Sequence, residues 1–312
     1  MINRVACNQF CSVLTDPGLG SYAEMSAVSI LALRHLHSGA RSVLLVDRPT
    51  AAALEVRRHA LLTLAGELLV VDTGTSDPMA SSRMIKTTLR QRLAGDFLFV
   101  DADAIAVRSL TRGWPADVDL AAVRDLNRRR LDPDTRRHRR LDELSARFGW
   151  RFDDRRYLNS GVLWVRDTPG AHAFFAEWNR RWRLGAEQGV AFDQPAFNSY
   201  IAEGVARVGV LPDADNWMAW ALPLFAGRAR VFHFFASLNR GLPEPDTLLF
   251  RLVERYRETG RLEEAMLARA ARENLPWLEN VGARRLVSSG RYLDAVVAFI
   301  AKRLQRLASR GR

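Results

Sequence analysis

The sequence predicts an α/β protein built on a mostly parallel β-sheet with helices on both faces. Over the first two thirds of the 312 residues, short β-branched or apolar runs alternate with segments of helical period. Three of these runs end directly in an aspartate, at Asp47, Asp72 and Asp101. Hydrophobic residues make up 48% of the chain, enough to bury one large core. Such alternation is typical of parallel sheets, whose ligands bind at the carboxyl ends of the strands.

The individual elements follow from this alternation in chain order. The predicted strands are residues 42–46, 68–71, 97–100, 120–123 and 161–165. The predicted helices are residues 51–65 and 81–93, which end near Gly66 and Gly95. After Pro245 the pattern becomes helical. We therefore expect an α/β domain over residues 1–242 and a helical extension over residues 243–312.

Two segments outside the alternation each have two interpretations. An insertion at residues 124–156 holds twelve arginines against seven acidic residues. It is either a solvated loop or exposed helix, or a flap over the active site that meets an anionic acceptor or a membrane. A helix predicted at residues 292–307 has an apolar stripe opposite its arginines. It either packs on its own core or lies on a membrane surface.

Charge and composition restrict the class of protein. The net charge is +11, and Lys86 and Lys302 are the only lysines among 46 basic residues. A specific nucleic-acid partner is not expected, because no recognition motif accompanies the charge, and an anionic lipid or an acidic glycan fits it equally well. Cys7 and Cys11 are too few for structural zinc and suit small buried side chains near a first strand.

The location of the protein is predicted from what its apolar runs lack. No run is long enough to cross a bilayer, and the N-terminal residues lack the continuous apolar centre of a secretory signal. We therefore expect a cytoplasmic location, with peripheral contact to the inner membrane face as an addition that the positive charge permits.

The strongest chemical signal is the segment "GDFLFVDADAIAV" at residues 95–107. An apolar strand there leads into Asp101 and Asp103, whose side chains point to the same side in extended backbone. Two converging carboxylates suit Mn²⁺ or Mg²⁺, which commonly bridges to substrate phosphates. The alternative is a pair of solvated acids in a turn.

A helix upstream of that strand carries Arg83 and Lys86, which share one face at a spacing of three residues. The rarity of lysine in this chain indicates a position that needs a compact ammonium, for instance against phosphate. Lys302 shows that a lysine also occurs where no such need is evident.

Three further segments place polar side chains next to predicted elements. Asn159 and Ser160 directly precede a predicted strand, and they form either a turn or part of a sugar-binding site. Asp193 and Gln194 begin a helix, where Asp193 either caps the helix or contacts sugar hydroxyls together with Gln194. His233 lies among apolar residues in "RVFHFF", and the two aspartates make a metal ligand the better interpretation than a core histidine.

In this order, the segments resemble glycosyltransferase family 8 and the related glycogenin-like and bacterial galactosyl- and glucosyltransferases. The matching elements, over residues 5–235, are Arg83 and Lys86, the Asp101-Ala102-Asp103 motif, Asp125, "LNSGV", "FDQPAFN" and "VFHF". The resemblance implies the GT-A fold, with its Rossmann-like, mostly parallel sheet. It also implies retaining transfer of a hexose from a nucleotide-sugar, usually a UDP-sugar, to a glycan or lipid-linked acceptor such as a cell-surface polysaccharide precursor.

The resemblance also implies a role for each site residue. It places Mn²⁺ (or Mg²⁺) on Asp101, Asp103 and His233. It makes Arg83, Lys86, Asn159 and Ser160 donor-binding residues. The implied catalytic residues are Gln194, Asp193 and Asp125, with Gln194 beneath the anomeric centre.

One part of the family's pattern is missing from this sequence. The family often follows its histidine with a Lys-Pro-Trp element that binds the diphosphate, whereas this chain reads "HFFASLNRG". Asn239 or Arg240 is the candidate replacement for the missing lysine.

Two other functions remain as alternatives. A sugar-phosphate nucleotidyltransferase can share the architecture, although no glycine-rich phosphate loop follows the first strand. A non-catalytic, arginine-rich module that binds nucleic acid or nucleotides is the other.

Overall fold

The computed structural model describes most of the chain. The described residues are 4–5, 8–110, 114–115, 117–127, 136–218, 229–236, 241–243, 247–273, 276, 292–293, 295–297, 299–300 and 303. The α-helices are α1 (Ser21–Leu36), α2 (Arg48–Val56), α3 (Leu61–Leu64), α4 (Pro78–Thr87), α5 (Leu89–Arg92), α6 (Arg136–Phe148), α7 (Pro169–Ala186), α8 (Gln194–Ile201), α9 (Leu248–Thr259) and α10 (Glu264–Glu273). The strands are β1 (Arg4–Val5), β2 (Gln9–Leu14), β3 (Arg41–Asp47), β4 (Glu67–Val71), β5 (Phe97–Val100), β6 (Ala104–Ala106), β7 (Trp114–Pro115), β8 (Leu120–Arg124), β9 (Leu158–Val165), β10 (Val208–Leu211), β11 (Trp217–Met218) and β12 (Val231–His233).

A seven-stranded sheet forms the centre of the molecule, in the order β10-β8-β9-β5-β2-β3-β4. Its neighbouring strands are parallel except at β9, which runs antiparallel to both β5 and β8. The predicted α/β fold with a mainly parallel sheet is therefore confirmed. Because β9 is reversed, its first residues lie beside the carboxyl end of β5, and the Asp101 amide donates to the Gly161 carbonyl at 2.9 Å.

A second sheet of three short strands, β11-β12-β6, adjoins the same end of β5. The strand β6 follows β5 after a three-residue turn, and it pairs antiparallel with β12 so that His233 stands opposite Ala104. This pairing carries His233 to the Asp101–Asp103 turn, from which it is separated by about 130 residues of chain.

Helices cover both faces of the central sheet. On one face α7 and α8 pack an aromatic cluster that includes Phe174, Trp178 and Phe197, all fully buried. On the other face α1 packs against β6 and α9. Burial of this much aromatic and aliphatic surface is the main contribution to the stability of the packing between helices and sheet.

The predicted helices differ in detail from those observed. Residues 51–65 form two helices, α2 and α3, because Arg58 has a left-handed φ of 47° between them. The helix predicted at residues 81–93 begins at Pro78 and is interrupted at Thr88, where φ is −115°. No helix was predicted over α1. Most of its middle residues are buried, from Ala23 to Leu33, which weakens the one-sided polarity that marks a surface helix.

The arginine-rich insertion contains the helix α6, most of whose side chains are exposed while Leu141 and Leu144 are buried. Residues 128–135 lie outside the described residues, and so does Cys7, whereas Cys11 is buried in β2. Of the proposed extension, α9 buries Leu248, Leu249 and Leu252 against the core. The domain boundary at residue 242 stays a prediction.

The apolar stripe predicted near the C-terminus is exposed where the structure describes it. Leu293, Val296, Val297 and Ile300 are helical and 51% to 81% exposed. The interpretation in which this stripe packs on its own core is therefore wrong for these four residues. Among the described helices, none combines the length and the apolar character that crossing a membrane would require.

Candidate active site

A cavity of about 730 Å³ opens at the carboxyl end of the central sheet. Its wall includes the ends of β2 and β5, the start of β9, and the starts of α4 and α8. The volume lies in the range of sites for small ligands and cofactors. Nearly all of the candidate residues line it, namely Arg83, Lys86, Asp101, Asp103, Asn159, Ser160, Asp193, Gln194 and His233.

Asp101, Asp103 and His233 form a cluster that could hold a metal ion. One ligand atom from each lies within 4.8 Å of the others. The His233 Nε2 atom is 3.3 Å from Asp103 Oδ1, and the second Asp103 oxygen accepts a hydrogen bond from the Ala236 amide at 2.7 Å. The Asp103 carboxylate is thereby oriented by the backbone that follows β12.

Asn216 fixes the other side of the histidine ring. Its Oδ1 lies 3.2 Å from His233 Nδ1, and its Nδ2 donates to Asn159 Oδ1 at 2.9 Å. With Nδ1 as the donor to Asn216, the Nε2 atom is directed at Asp103. Asn216 is fully buried and thus links the candidate metal cluster to the candidate sugar residues.

Gly161 is the residue that lets β9 approach this cluster. A Cβ built on Gly161 would overlap the imidazole ring of His233 and would lie 2.7 Å from Asp101 Oδ2. The glycine in "LNSGV" is therefore required by close packing, as expected for a strand glycine at a ligand or backbone approach.

Two cations lie against the acidic groups. Lys86 is buried, and its ammonium lies 3.3 Å from both oxygens of Asp101 and 3.8 Å from Asp193 Oδ2. The Arg83 Nε atom lies 3.0 Å from Asp193 Oδ1. Asp193 occupies the N-cap position of α8 but its side chain makes no capping hydrogen bond. The capping interpretation of its carboxylate is therefore wrong, since the carboxylate faces Arg83, Lys86 and Ser160 instead.

Asp125, Asn159 and Gln194 form a buried polar network beside the cluster. The side-chain Nδ2 of Asn159 donates to Asp125 Oδ1 and to Gln194 Oε1, each at 3.1 Å. The backbone nitrogen of Ser160 lies 3.4 Å from the same Gln194 oxygen, and the Ser160 hydroxyl donates to Asp193 Oδ2 at 3.1 Å. Asn159 and Ser160 are thus strand residues of β9 and not the turn that remained possible from sequence.

The electrostatics of the three acidic groups differ. Burial raises the pKa of Asp101 above its ordinary value, although Lys86 opposes this. Burial would also raise the pKa of Asp103, but His233 and the Ala236 amide outweigh it and lower the pKa. The pKa of Asp193 is likewise lowered, because Lys86 and Arg83 outweigh the effect of burial.

Sequence reasoning missed two residues of this site. Asn216 lies in a short 3₁₀ helix, Asp213–Asn216, where asparagine is ordinarily a turn residue and carries no distinct signal. Tyr22 lines the cavity from α1, and burial together with the Asp103 charge raises its pKa to about 12. The candidates Asn239 and Arg240 lie outside the described residues.

Residues 81–222 match the sequence model of the nucleotide-diphospho-sugar transferase family. The matched segment contains Arg83, Lys86, Asp101, Asp103 and Gln194 and ends before His233. The match supports a glycosyltransferase, an enzyme that takes its sugar from a nucleotide-sugar. No curated protein sequence gives a significant match to the chain.

Several solved structures resemble this chain, and they are glycosyltransferases. The apo form of the glycosyltransferase GlyE of Streptococcus pneumoniae TIGR4 has a TM-score of 0.50 and 13% identity, covering 89% of this chain and 66% of that one. A second GlyE structure has a TM-score of 0.49 and 15% identity over 89% and 68%. Mouse xyloside xylosyltransferase 1, apo form, has a TM-score of 0.48 and 12% identity over 75% and 99%. The first likeness agrees with the predicted GT-A fold, while membership of family 8 stays a prediction.

Proposed function

We propose that the protein is a metal-dependent hexosyltransferase that uses a nucleotide-sugar, most simply a UDP-sugar, and retains the anomeric configuration. The observation that carries the proposal is the cluster of Asp101, Asp103 and His233 in a 730 Å³ cavity that also contains Lys86 and Arg83. The acceptor class is a glycan or a lipid-linked sugar. Retention and the UDP moiety rest on the resemblance to family 8 alone.

The residues present fit Mn²⁺ or Mg²⁺. Carboxylate oxygens suit both ions, and the pKa of the buried Asp103 is lowered by His233 and by the Ala236 amide, which favours the deprotonated form that a metal needs. Asp101, Asp103 and His233 would hold the ion. When bound there, a divalent cation neutralises a diphosphate and stabilises it as a leaving group.

The chain's own residues have distinct tasks in this proposal. Lys86 and Arg83 add two positive charges to the cavity wall and favour an anionic diphosphate. Asn159 and the Ser160 amide hold the side-chain carbonyl of Gln194 in one orientation. A carbonyl held in this way can support positive charge that develops at the anomeric carbon without further reorganisation.

Asp193 and Asp125 complete the proposed sugar site. Asp193 is held by Arg83, Lys86 and Ser160, and Asp125 accepts from Asn159. Both are buried, so each is a polar group in a largely dry environment where hydrogen bonds to sugar hydroxyls are strong. We assign them to binding of the transferred hexose.

A cytoplasmic location with peripheral contact to an anionic membrane is also proposed. The membrane contact is supported by the net charge of +11 and by the exposed apolar residues between positions 292 and 300.

The test of the transfer activity is nucleotide release from a panel of UDP-, GDP- and dTDP-sugars, with Mn²⁺ or with EDTA. Many transferases hydrolyse their donor slowly when water replaces the acceptor, so the acceptor need not be known. We expect one nucleotide to be released, only with metal. The variant Asp103→Ala should lose the release, by a factor of about 100 or more.

The matched control is Asp72→Ala, which removes an exposed carboxylate paired with Arg48 outside the cavity. It should release nucleotide at the wild-type rate. Absence of both turnover and Mn²⁺-dependent nucleotide binding in the wild type would contradict the proposal. Strong, salt-dependent binding of RNA or DNA in its place would favour the non-catalytic alternative.

A further inference from the structure

Arg140 and Phe192 form an exposed pair at the wall of the cavity. Arg140 belongs to α6 of the arginine-rich insertion, and its guanidinium carbon lies 5.2 Å from the centroid of the Phe192 ring. Phe192 lies between α7 and α8 and is 44% exposed. Both side chains line the cavity. They do not belong to the polar network around Asp101 and Gln194.

Arg140 differs from the other cations of this cavity in its partners. Arg83 and Lys86 are each paired with a buried carboxylate. Within the part of the chain that the structure describes, Arg140 makes no ion pair or hydrogen bond, and its one contact of note is the Phe192 ring. A guanidinium stacked on an aromatic face keeps its N–H donors in its own plane, available for a carboxylate or a phosphate.

The position of this pair separates it from the expected nucleotide. In open α/β sheets ligands bind in the crevice outside the carboxyl ends of the strands, and we assign the nucleotide to the part of the cavity that is lined by β2 and the residues after it. Phe192 directly precedes Asp193 and Gln194, so the Arg140 pair lies at the end of the cavity where the transferred sugar is proposed to lie.

The two ends of the cavity also differ in charge. At the β2 end, Asp16 and Asp77 line the wall and accept hydrogen bonds from backbone amides. At the Phe192 end, Arg140 brings an unpaired positive charge, and Arg139 beside it on α6 is also exposed. An anionic group that enters beside the sugar is therefore favoured at the Arg140 end.

We propose, on the basis of the transfer activity proposed above, that Arg140 and Phe192 bind the anionic group of an acidic acceptor. The acceptor class is a glycan that carries a carboxylate or a phosphate near the hydroxyl that accepts the transferred sugar. Arg140 binds the anion through two parallel N–H donors, and Phe192 holds the guanidinium plane in the orientation that this requires. The arginine-rich insertion thereby selects the acceptor.

The experiment measures binding and transfer for matched acidic and neutral probes. The probes are p-nitrophenyl glucoside, its 6-phosphate and p-nitrophenyl glucuronide. Binding of each is measured with Mn²⁺ and UDP present. Transfer to each is measured with Mn²⁺ and the intact nucleotide-sugar that the release assay identifies as the donor. We expect the wild type to bind at least one acidic probe at least tenfold more tightly than the neutral one. The phosphate and the glucuronide arms distinguish the two sources of charge.

Three substitutions of Arg140 and one of Phe192 test the assignment. Arg140→Ala should remove the preference for the acidic probe, and Arg140→Glu should reverse it. Arg140→Lys should keep part of it, because the charge remains but the planar pair of donors is lost. Phe192→Leu keeps an apolar side chain without the aromatic face and should weaken the preference by about threefold or more.

The matched control is Arg139→Ala, which removes the same charge from the neighbouring position of α6 without touching the cavity wall. It should keep the wild-type preference. Failure of all donor turnover would contradict the transfer activity itself. Donor turnover without any binding preference for either acidic probe would overturn this inference alone. An equal loss of UDP affinity in Arg140→Ala would assign Arg140 to the donor diphosphate and would also overturn it.

Discussion

The Lys86 ammonium lies 3.3 Å from both carboxylate oxygens of Asp101; Lys86 is placed by α4, and Asp101 directly follows β5. Lys86 also lies 3.8 Å from Asp193, so one buried cation serves two carboxylates. A buried ammonium is tolerated only when its charge is balanced in this way. The stability of the site therefore depends on this side chain.

Replacement of Lys86 should destabilise the fold. Lys86→Met keeps much of the side-chain volume but leaves Asp101 and Asp193 without their shared cation. We expect the free energy of unfolding at pH 7 to fall by about 3–5 kcal/mol, measured by urea denaturation. The control Arg48→Met breaks an exposed pair with Asp72 and should cost less than about 1 kcal/mol. Equal losses in the two variants would contradict a special role for Lys86.

Gly161 should be irreplaceable for metal binding. In Gly161→Ala the new methyl group would overlap the His233 ring and press on Asp101 Oδ2. We expect the affinity for Mn²⁺, measured by calorimetry without nucleotide, to fall by about tenfold or more, because the ligands are pushed apart. Gly39→Ala is the control, since no atom lies within 4 Å of the added Cβ. Wild-type Mn²⁺ affinity in Gly161→Ala would rule out the Asp101–His233 arrangement as the metal site.

Asn216 should act on the metal through His233. Asn216→Ala removes the acceptor that faces His233 Nδ1 and also the donor to Asn159. The affinity for Mn²⁺ should fall by about 10–100-fold, as is usual when the partner of a ligating histidine is removed. Asn216→Asp keeps an acceptor for the ring and should retain more of the affinity than the alanine variant. If alanine and aspartate behave alike, the hydrogen bond to His233 has no part in metal binding.

A charge cluster on α7 predicts a pH dependence of stability. Hydrogen bonding from Arg180, opposed by burial and reinforced by Arg181, lowers the pKa of Glu177 from 4.5 to about 2. Since the folded pKa is the lower one, the stabilisation is complete above pH 4.5 and is lost as the pH falls towards 2. Glu177→Gln should therefore cost about 1–2 kcal/mol at pH 7, after allowance for solvent screening, and less at pH 3.

Thermal or urea unfolding at pH 7 and at pH 3 measures this difference. Glu258→Gln, which alters an exposed pair with Arg255, should cost less than about 0.5 kcal/mol at both values. A loss in Glu177→Gln that does not shrink between pH 7 and pH 3 would show that the effect is not the ionisation of Glu177.

Many of the strands and helices were predicted from the local pattern of the sequence. The strand at residues 97–100 was predicted with the bounds that β5 has, and the predicted strand at residues 42–46 lies within β3. The helix α8 begins at Gln194 as predicted. These elements are marked by apolar runs, by turn residues and by capping positions that neighbours in sequence supply. The helix α1 was missed because burial of most of its middle residues leaves no polar stripe to read.

The acidic motif of the candidate site was local information as well. Asp101 and Asp103 follow an apolar strand at the spacing that places two carboxylates together, and this needs no knowledge of the fold. The contacts that complete the site are between distant residues, such as His233 with Asp103, Asn216 with Asn159, and Gly161 with the His233 ring. They depend on the reversal of β9 and on the pairing of β6 with β12, and sheet order is set by the packing of the whole core, which no local pattern encodes.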